Sequence, residues 1–386
     1  MDIQQIDQQY VAGTYGRFPV EIAYGRGELI YDVQGKEYID MGSGIAVNIF
    51  GMADESWQKA VIQQLGLYQH TSNLYYTQPC ALLAKALCER TGFRKVFFSN
   101  SGAEANECAI KAARKYAADK KGPEHSVIVT LENSFHGRTI TTLAATGQEV
   151  YHKDFLPLTP GFVYAKANDL NSIKEAVAAN QCAAIMIETV QGEGGVNVLS
   201  QEFVEGIYQI CQQEDILLIV DEVQTGNGRT GKLYSYMNYN IMPDIITTAK
   251  GLGGGLPLGA TLLGEKVQDV FHPGDHGSTF GGNPVCCAGA LNILSRLDDG
   301  MLELVRKKSQ YIQQELNGAK GVKSVTGMGL MLGIETEKDA GQVIQELREA
   351  GVLVLKAKNK VRLLPPLNIS MENLKKAVNR IKEVCA

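Results

Sequence analysis

From Lys95 onward, short apolar runs alternate with segments of helical spacing, and this alternation limits the possible folds more than any other feature of the chain. The runs are Val96–Phe98, Val127–Val129, Ala184–Ile187, Ile216–Val220, Ile245–Ile246 and Ala260–Leu263, with helical spacing over 102–117 and 201–213. Runs this short and continuously apolar read as strands buried on both faces. Strands alternating with helices predict an α/β fold, a largely parallel sheet wrapped by helices. In such sheets ligands bind beyond the carboxyl ends of the strands.

The flanks read differently. Residues 1–45 have the pattern of an irregular arm with short strands at Gly27–Asp32 and Lys36–Asp40, and helical spacing follows at 54–69 and 79–91. After about 276 the pattern becomes α+β. Helices are expected near 284–297, 301–317, 339–350 and 371–383, and strands at Leu330–Ile334, Val352–Leu355 and Val361–Leu364. The expected division is an arm over 1–45 that joins the small domain, a large domain over 46–280 and a small domain over 281–386.

Composition narrows the class. The net charge is -5, and no Lys/Arg-rich block occurs, which argues against nucleic-acid binding. The polar N-terminus has no signal-peptide pattern and no apolar run is long enough to cross a bilayer, so the expectation is a cytoplasmic protein without membrane attachment. The eight cysteines form no Cys-x-x-Cys pair and the six histidines show no ligand spacing. Reduced thiols and no metal site are expected.

Two strand ends carry the chemistry. Ile216–Val220 runs into Asp221-Glu-Val-Gln224, and Asp244–Ala249 ends in Lys250, followed by Gly251-Leu-Gly-Gly-Gly255. A carboxylate beside an amine fits a pyridine-ring cofactor. The amine forms an imine with an aldehyde, and the carboxylate keeps the ring nitrogen protonated. Ser101-Gly-Ala103 opens a helix after a strand, where small residues and free N–H groups suit a phosphate, although Ser and Gly there also serve as simple caps. His276–Pro284 is a second Gly-rich turn, in which Ser278 and Thr279 offer hydroxyl donors. In Ser134–Thr139, Phe135 is placed to stack on a ring, His136 to touch its edge and Arg138 to fork onto a carboxylate. Each of these residues taken alone also reads as core or solvated surface. Glu193, in Gln191–Gly195, and Arg362, before Pro365-Pro366, read either as a gate for a charged group or as structural ion-pair partners.

Together these segments resemble the class III (ornithine/acetylornithine type) pyridoxal-phosphate (PLP) aminotransferases. The resemblance rests on Asn100–Asn106, Phe135–Thr139, Gln191–Gly195, Asp221–Gly226, Thr248–Gly255 and Gly277–Pro284, which occur in the family's order. Thr14–Val20, Gly44–Asn48 and Arg362–Leu367 match the acetylornithine type most closely. One departure is Met52, where many members have His.

The resemblance implies a PLP-transferase fold of type I, with a seven-stranded, mostly parallel sheet, and a homodimer whose sites draw on both chains. It implies that Lys250 carries the cofactor, that Asp221 pairs with the ring nitrogen and that Gln224 and Val223 line the ring with Phe135 and His136. Ser101, Gly102 and Ala103 hold the phosphate with Thr279 of the partner subunit. Arg138, Ser278 and Tyr15 are implied to bind substrate, and Glu193 and Arg362 to form a switchable pair. The implied substrates are N2-acetyl-L-ornithine and 2-oxoglutarate, giving N-acetyl-L-glutamate 5-semialdehyde and glutamate in arginine biosynthesis. The alternatives are an ornithine, succinyldiaminopimelate or 4-aminobutyrate aminotransferase, a glutamate-semialdehyde mutase, and a PLP-binding regulator without turnover.

Overall fold

Seven strands form one central sheet: β1 (Lys95–Ser99), β2 (Val127–Leu131), β3 (Phe162–Ala165), β4 (Cys182–Ile187), β5 (Leu217–Asp221), β6 (Ile245–Thr248) and β7 (Gly259–Leu263). The computed structural model describes residues 2–386. Across the sheet the order is β1-β7-β6-β5-β4-β2-β3. Only β7 runs against its neighbours. The chain therefore adopts the expected mostly parallel sheet, and each apolar run seeds a strand. Every residue of β4, β5 and β6 is buried, and nothing charged interrupts them before their last positions. β3 has no such signature. It is a four-residue edge strand in which only Ala165 is fully buried.

The longest helix, Gly102–Lys121, lies against the sheet. Ser101 caps it by accepting from Glu104 N–H, and Gly122 follows its last turn. Ala105, Ala109, Ala112 and Ala113 are buried, and their small side chains let the helix approach the strands closely. Its first turn is thereby fixed beside the carboxyl ends of β5 and β6.

A smaller α+β part completes the fold. Val322–Met328, Met331–Thr336, Lys360–Leu363 and Leu355–Ala357 form one sheet, and Ile22–Arg26, Leu29–Asp32, Glu37–Asp40 and Val352–Leu353 form another. The single strand expected at Val352–Leu355 is thus two, because the chain leaves one sheet for the other at Val354. Helix Met371–Cys385 buries Leu374, Ala377, Val378, Ile381 and Cys385 along one stripe. Full burial of Leu374 and Ile381 is worth about 1.5–3 kcal/mol each.

The N-terminal residues are not irregular throughout, as their polarity suggests. Ile3–Tyr10 is a helix that buries none of its residues. It is started by a reciprocal cap in which Asp2 accepts from Gln5 N–H and Gln5 accepts from Asp2 N–H. All eight cysteines are free thiols.

Candidate active site

The carboxyl ends of the parallel strands surround a cavity of about 430 Å³. Ser101, Gly102 and Ala103 line it from the turn after β1, Phe135, His136 and Arg138 from the segment after β2, and Glu188 and Glu193 from the segment after β4. Asp221, Val223 and Gln224 reach it from the end of β5, and Lys250 from the turn after β6. Neighbouring parallel strands deliver these groups to one edge, with Asp221 in register with Thr247.

Lys250 is half-buried and has a left-handed backbone, with φ 44°. This conformation is uncommon for a residue with a side chain and is a form of local strain found at functional sites. Burial lowers the pKa of the Lys250 amine. Glu193, Asp221 and Glu188 oppose that shift and Arg362 adds to it, and the net direction is down. A larger share of the amine is therefore neutral than for a solvated lysine.

Asp221 is 4 % exposed. Its Oδ2 accepts from Asn106 Nδ2 and pairs with His136 Nδ1, each at 2.8 Å, and its Oδ1 accepts from Val223 N–H at 3.0 Å. Donors on both oxygens fix the orientation of the carboxylate. Glu188 is the opposite case. It is buried, accepts only from Phe135 N–H at 2.8 Å, and has no cation paired to it among the described residues. Burial and the nearby Asp221 raise its pKa well above the ordinary value, despite the Phe135 N–H and Lys250.

Arg362 is 3 % exposed. Its Nη1 donates to Glu193 Oε1 at 2.6 Å and to Gln224 Oε1 at 3.2 Å. Burial alone raises the pKa of Glu193, but the charge and hydrogen bond of Arg362 outweigh it and the net shift is down. The guanidinium of Arg138 lies 3.8 Å from the Tyr151 ring centroid. It is in no ion pair among the described residues, so its fork remains available.

The other expected residues lie outside the lining. Ser278 Oγ accepts from Asn100 Nδ2 at 3.1 Å, while Thr279 and Tyr15 are exposed. Met52 is also outside. Glu188, Asn106 and Val47 line the cavity without having been assigned roles from the sequence. Glu188 had a usable signal, since it directly follows β4 as Asp221 ends β5.

A family model described as Aminotransferase class-III matches residues 10–385. The chain belongs to the class-III aminotransferases. An acetylornithine aminotransferase of Haemophilus ducreyi is 50% identical over 384 residues, covering 99% of this chain and 98% of that protein. One of Methanocaldococcus jannaschii is 42% identical, covering 98% and 96%. The solved ornithine aminotransferase of Toxoplasma gondii superposes with a TM-score of 0.95 at 32% identity, covering 99% of this chain and 94% of that one. N-acetylornithine aminotransferase of Stenotrophomonas maltophilia gives 0.86 at 34%, covering 98% and 97%.

As a class-III aminotransferase the chain is a PLP-dependent transaminase. Its cavity fits that cofactor. An amine and a carboxylate held by donors share one enclosure, and the first-turn N–H groups of Gly102 and Ala103 have no helix carbonyl within reach. A Cβ built on Gly102 would lie 2.6 Å from Val223 Cγ1, so the wall closes tightly there around its contents.

Proposed function

We propose that the chain transfers the terminal amino group of N2-acetyl-L-ornithine to 2-oxoglutarate, giving N-acetyl-L-glutamate 5-semialdehyde and L-glutamate, and so serves arginine biosynthesis in the cytoplasm. The observation that carries this reading is full-length identity of 41–50% to several proteins named acetylornithine aminotransferase, in organisms as distant as Haemophilus ducreyi and Alnus glutinosa. The Glu193–Arg362 pair supports it, because it gives one pocket two charge states.

Bound PLP supplies a reactive aldehyde and an electron-accepting ring. Lys250 would hold the aldehyde, and its amine is placed to take a proton from the substrate carbon. Its lowered pKa suits it to that role of general base. Asp221, fixed by three hydrogen bonds, would pair with the ring nitrogen. Phe135, Val223, Gln224 and His136 would hold the ring, and Ser101, Gly102 and Ala103 would hold the phosphate.

Arg138 grips the carboxylate of acetylornithine through its free fork; Ser278 and Tyr15, outside the lining of this chain's cavity, are assigned to substrate on the family resemblance. In that half of the cycle Glu193 neutralises Arg362. When the dicarboxylic 2-oxoglutarate enters, Glu193 swings away and Arg362 takes the second carboxylate. Thr279 is exposed and outside the cavity of its own chain, which fits a homodimer in which it completes the partner's phosphate site.

A panel of acetylornithine, succinyldiaminopimelate, ornithine and 4-aminobutyrate, each with 2-oxoglutarate, tests the reading. Acetylornithine should have the highest kcat/KM. A clear preference for ornithine or 4-aminobutyrate would overturn the assignment.

A further inference from the structure

Every hydrogen-bonding group of the Asn106 amide is engaged. Nδ2 donates to Asp221 Oδ2 at 2.8 Å and to the His136 carbonyl at 2.7 Å. Oδ1 accepts from Thr247 Oγ1 at 2.6 Å. Asn106 is 1 % exposed and Thr247 fully buried. The reversed amide would aim its oxygen at two acceptors, the Asp221 carboxylate and the His136 carbonyl, so only one orientation is compatible with its neighbours.

The three residues come from different elements. Asn106 is on the first turns of the helix whose start lines the cavity, and Asp221 and Thr247 are paired in register at the ends of β5 and β6. His136, from the segment after β2, holds the same carboxylate oxygen through Nδ1 and is itself fixed by its N–H to Thr146 Oγ1 at 2.9 Å. The arrangement runs as a chain of donors, from the Thr247 hydroxyl to the Asn106 amide to the Asp221 carboxylate. All three residues are buried, with Asp221 at the cavity wall the most exposed at 4 %.

We propose that Asn106, backed by Thr247, is a positioning residue that holds the Asp221 carboxylate aimed into the cavity, and so sets how tightly the cofactor ring is retained. Asn106 also ties the helix that begins at the phosphate end to the carboxylate at the ring-nitrogen end, so that one buried amide fixes the spacing of the two. The charged and titratable groups set against Asp221 are His136, Glu188 and Lys250, and none of them supplies the amide donor that Asn106 does. The inference rests on the reading that Asp221 holds the ring nitrogen.

The test uses Asn106→Leu, which keeps the side-chain volume but removes the donor, together with Thr247→Val and Thr247→Ser. Cofactor dissociation constants are measured by titrating PLP into the apo protein and following absorbance, over a range of pH. Loss of a hydrogen bond to a buried carboxylate corresponds to roughly a ten- to hundredfold weaker constant for Asn106→Leu, and loss of the neutral bond to roughly three- to tenfold for Thr247→Val. Thr247→Ser should return to wild type, and the pH profile of the bound cofactor's absorbance should move in Asn106→Leu. Unchanged affinity and pH profile in Asn106→Leu would overturn the proposal. So would a Thr247→Ser protein as impaired as Thr247→Val, because that result would point to packing alone. If Asn106→Leu does not fold, the Val and Ser pair at 247 decides. A wild-type protein that binds no PLP would instead sink the reading on which the inference rests.

Discussion

Arg362 and Glu193 form a part-buried ion pair at 2.6 Å, with Glu193 on the wall of the cavity and Arg362 behind it. The pair comes from distant parts of the chain, one from the strand Lys360–Leu363 and the other from the turn after β4. Breaking it by removing one partner leaves an uncompensated charge, which costs about 3–5 kcal/mol when fully buried. Glu193→Gln should therefore expose Arg362 to the incoming ligand. The expected outcome is a higher kcat/KM for 2-oxoglutarate and a lower one for acetylornithine, with the ratio shifting by roughly tenfold or more, or about 1.4 kcal/mol. Steady-state kinetics of each half reaction would check this, and an equal change in both would remove the pair from substrate selection.

Glu188 gives a prediction for pH. Its folded-state pKa is raised, by burial first and then by Asp221. The folded protein thus keeps a proton on Glu188 above the pH at which the unfolded chain has lost it. Its contribution to stability is present at low pH and falls as pH rises above the ordinary carboxyl range. Glu188→Gln keeps an acceptor for Phe135 N–H and removes the titration. At pH 8 the apo variant should melt about 1–3 °C above wild type, with the gap closing near pH 4. A variant that melts well below wild type at pH 8 would show that the carboxylate is needed in its charged form.

How much of this was legible in the sequence differs by residue. Lys250 and Asp221 announce themselves because each ends a buried apolar run, and a polar group placed there must face the ligand edge. Gly102 and Ala103 become readable only beside the Lys250 system, because a strand-to-helix turn with small residues also serves as a simple cap. The Asn106–Thr247–Asp221 chain was hidden, since it joins three segments through side chains whose meeting depends on strand order. The strand Val322–Met328 was also hidden, because its Lys, Ser, Thr and Gly break the apolar pattern of a half-exposed sheet. The helix at Ile3–Tyr10 owes its start to a cap rather than to a buried face, so hydrophobic spacing says little about it.

Gly102 is a steric prediction. A Cβ there would meet Val223 Cγ1 at 2.6 Å and Cγ2 at 2.9 Å. Gly102→Ala should push Val223 into the cofactor's space, and overpacking of this kind costs about 1–3 kcal/mol. PLP affinity should fall by roughly five- to hundredfold, with the melting temperature of the apo protein changing little. Unchanged PLP affinity in an absorbance titration would show that the cofactor sits elsewhere.

The proposed homodimer has its own test. Leu74, Tyr75, Tyr76 and Phe280 are exposed, and Asn73 ties their two segments together by donating to the Ser278 and Gly281 carbonyls at 2.9 Å. A large exposed apolar patch beside Thr279 fits an interface. Light scattering should give about twice the 42.0 kDa chain mass. Tyr76→Arg with Phe280→Arg should shift the protein towards monomer and weaken PLP retention. A wild-type monomer that still turns over at full rate would contradict the shared site.

The most direct measurement is borohydride reduction of the PLP-loaded protein followed by peptide mapping. The account predicts a single pyridoxyl label on Lys250, absent from Lys250→Ala, which should also lack turnover and the visible absorbance of the wild type. A label on another lysine, or a Lys250→Ala protein that transaminates at near wild-type rate, would contradict it.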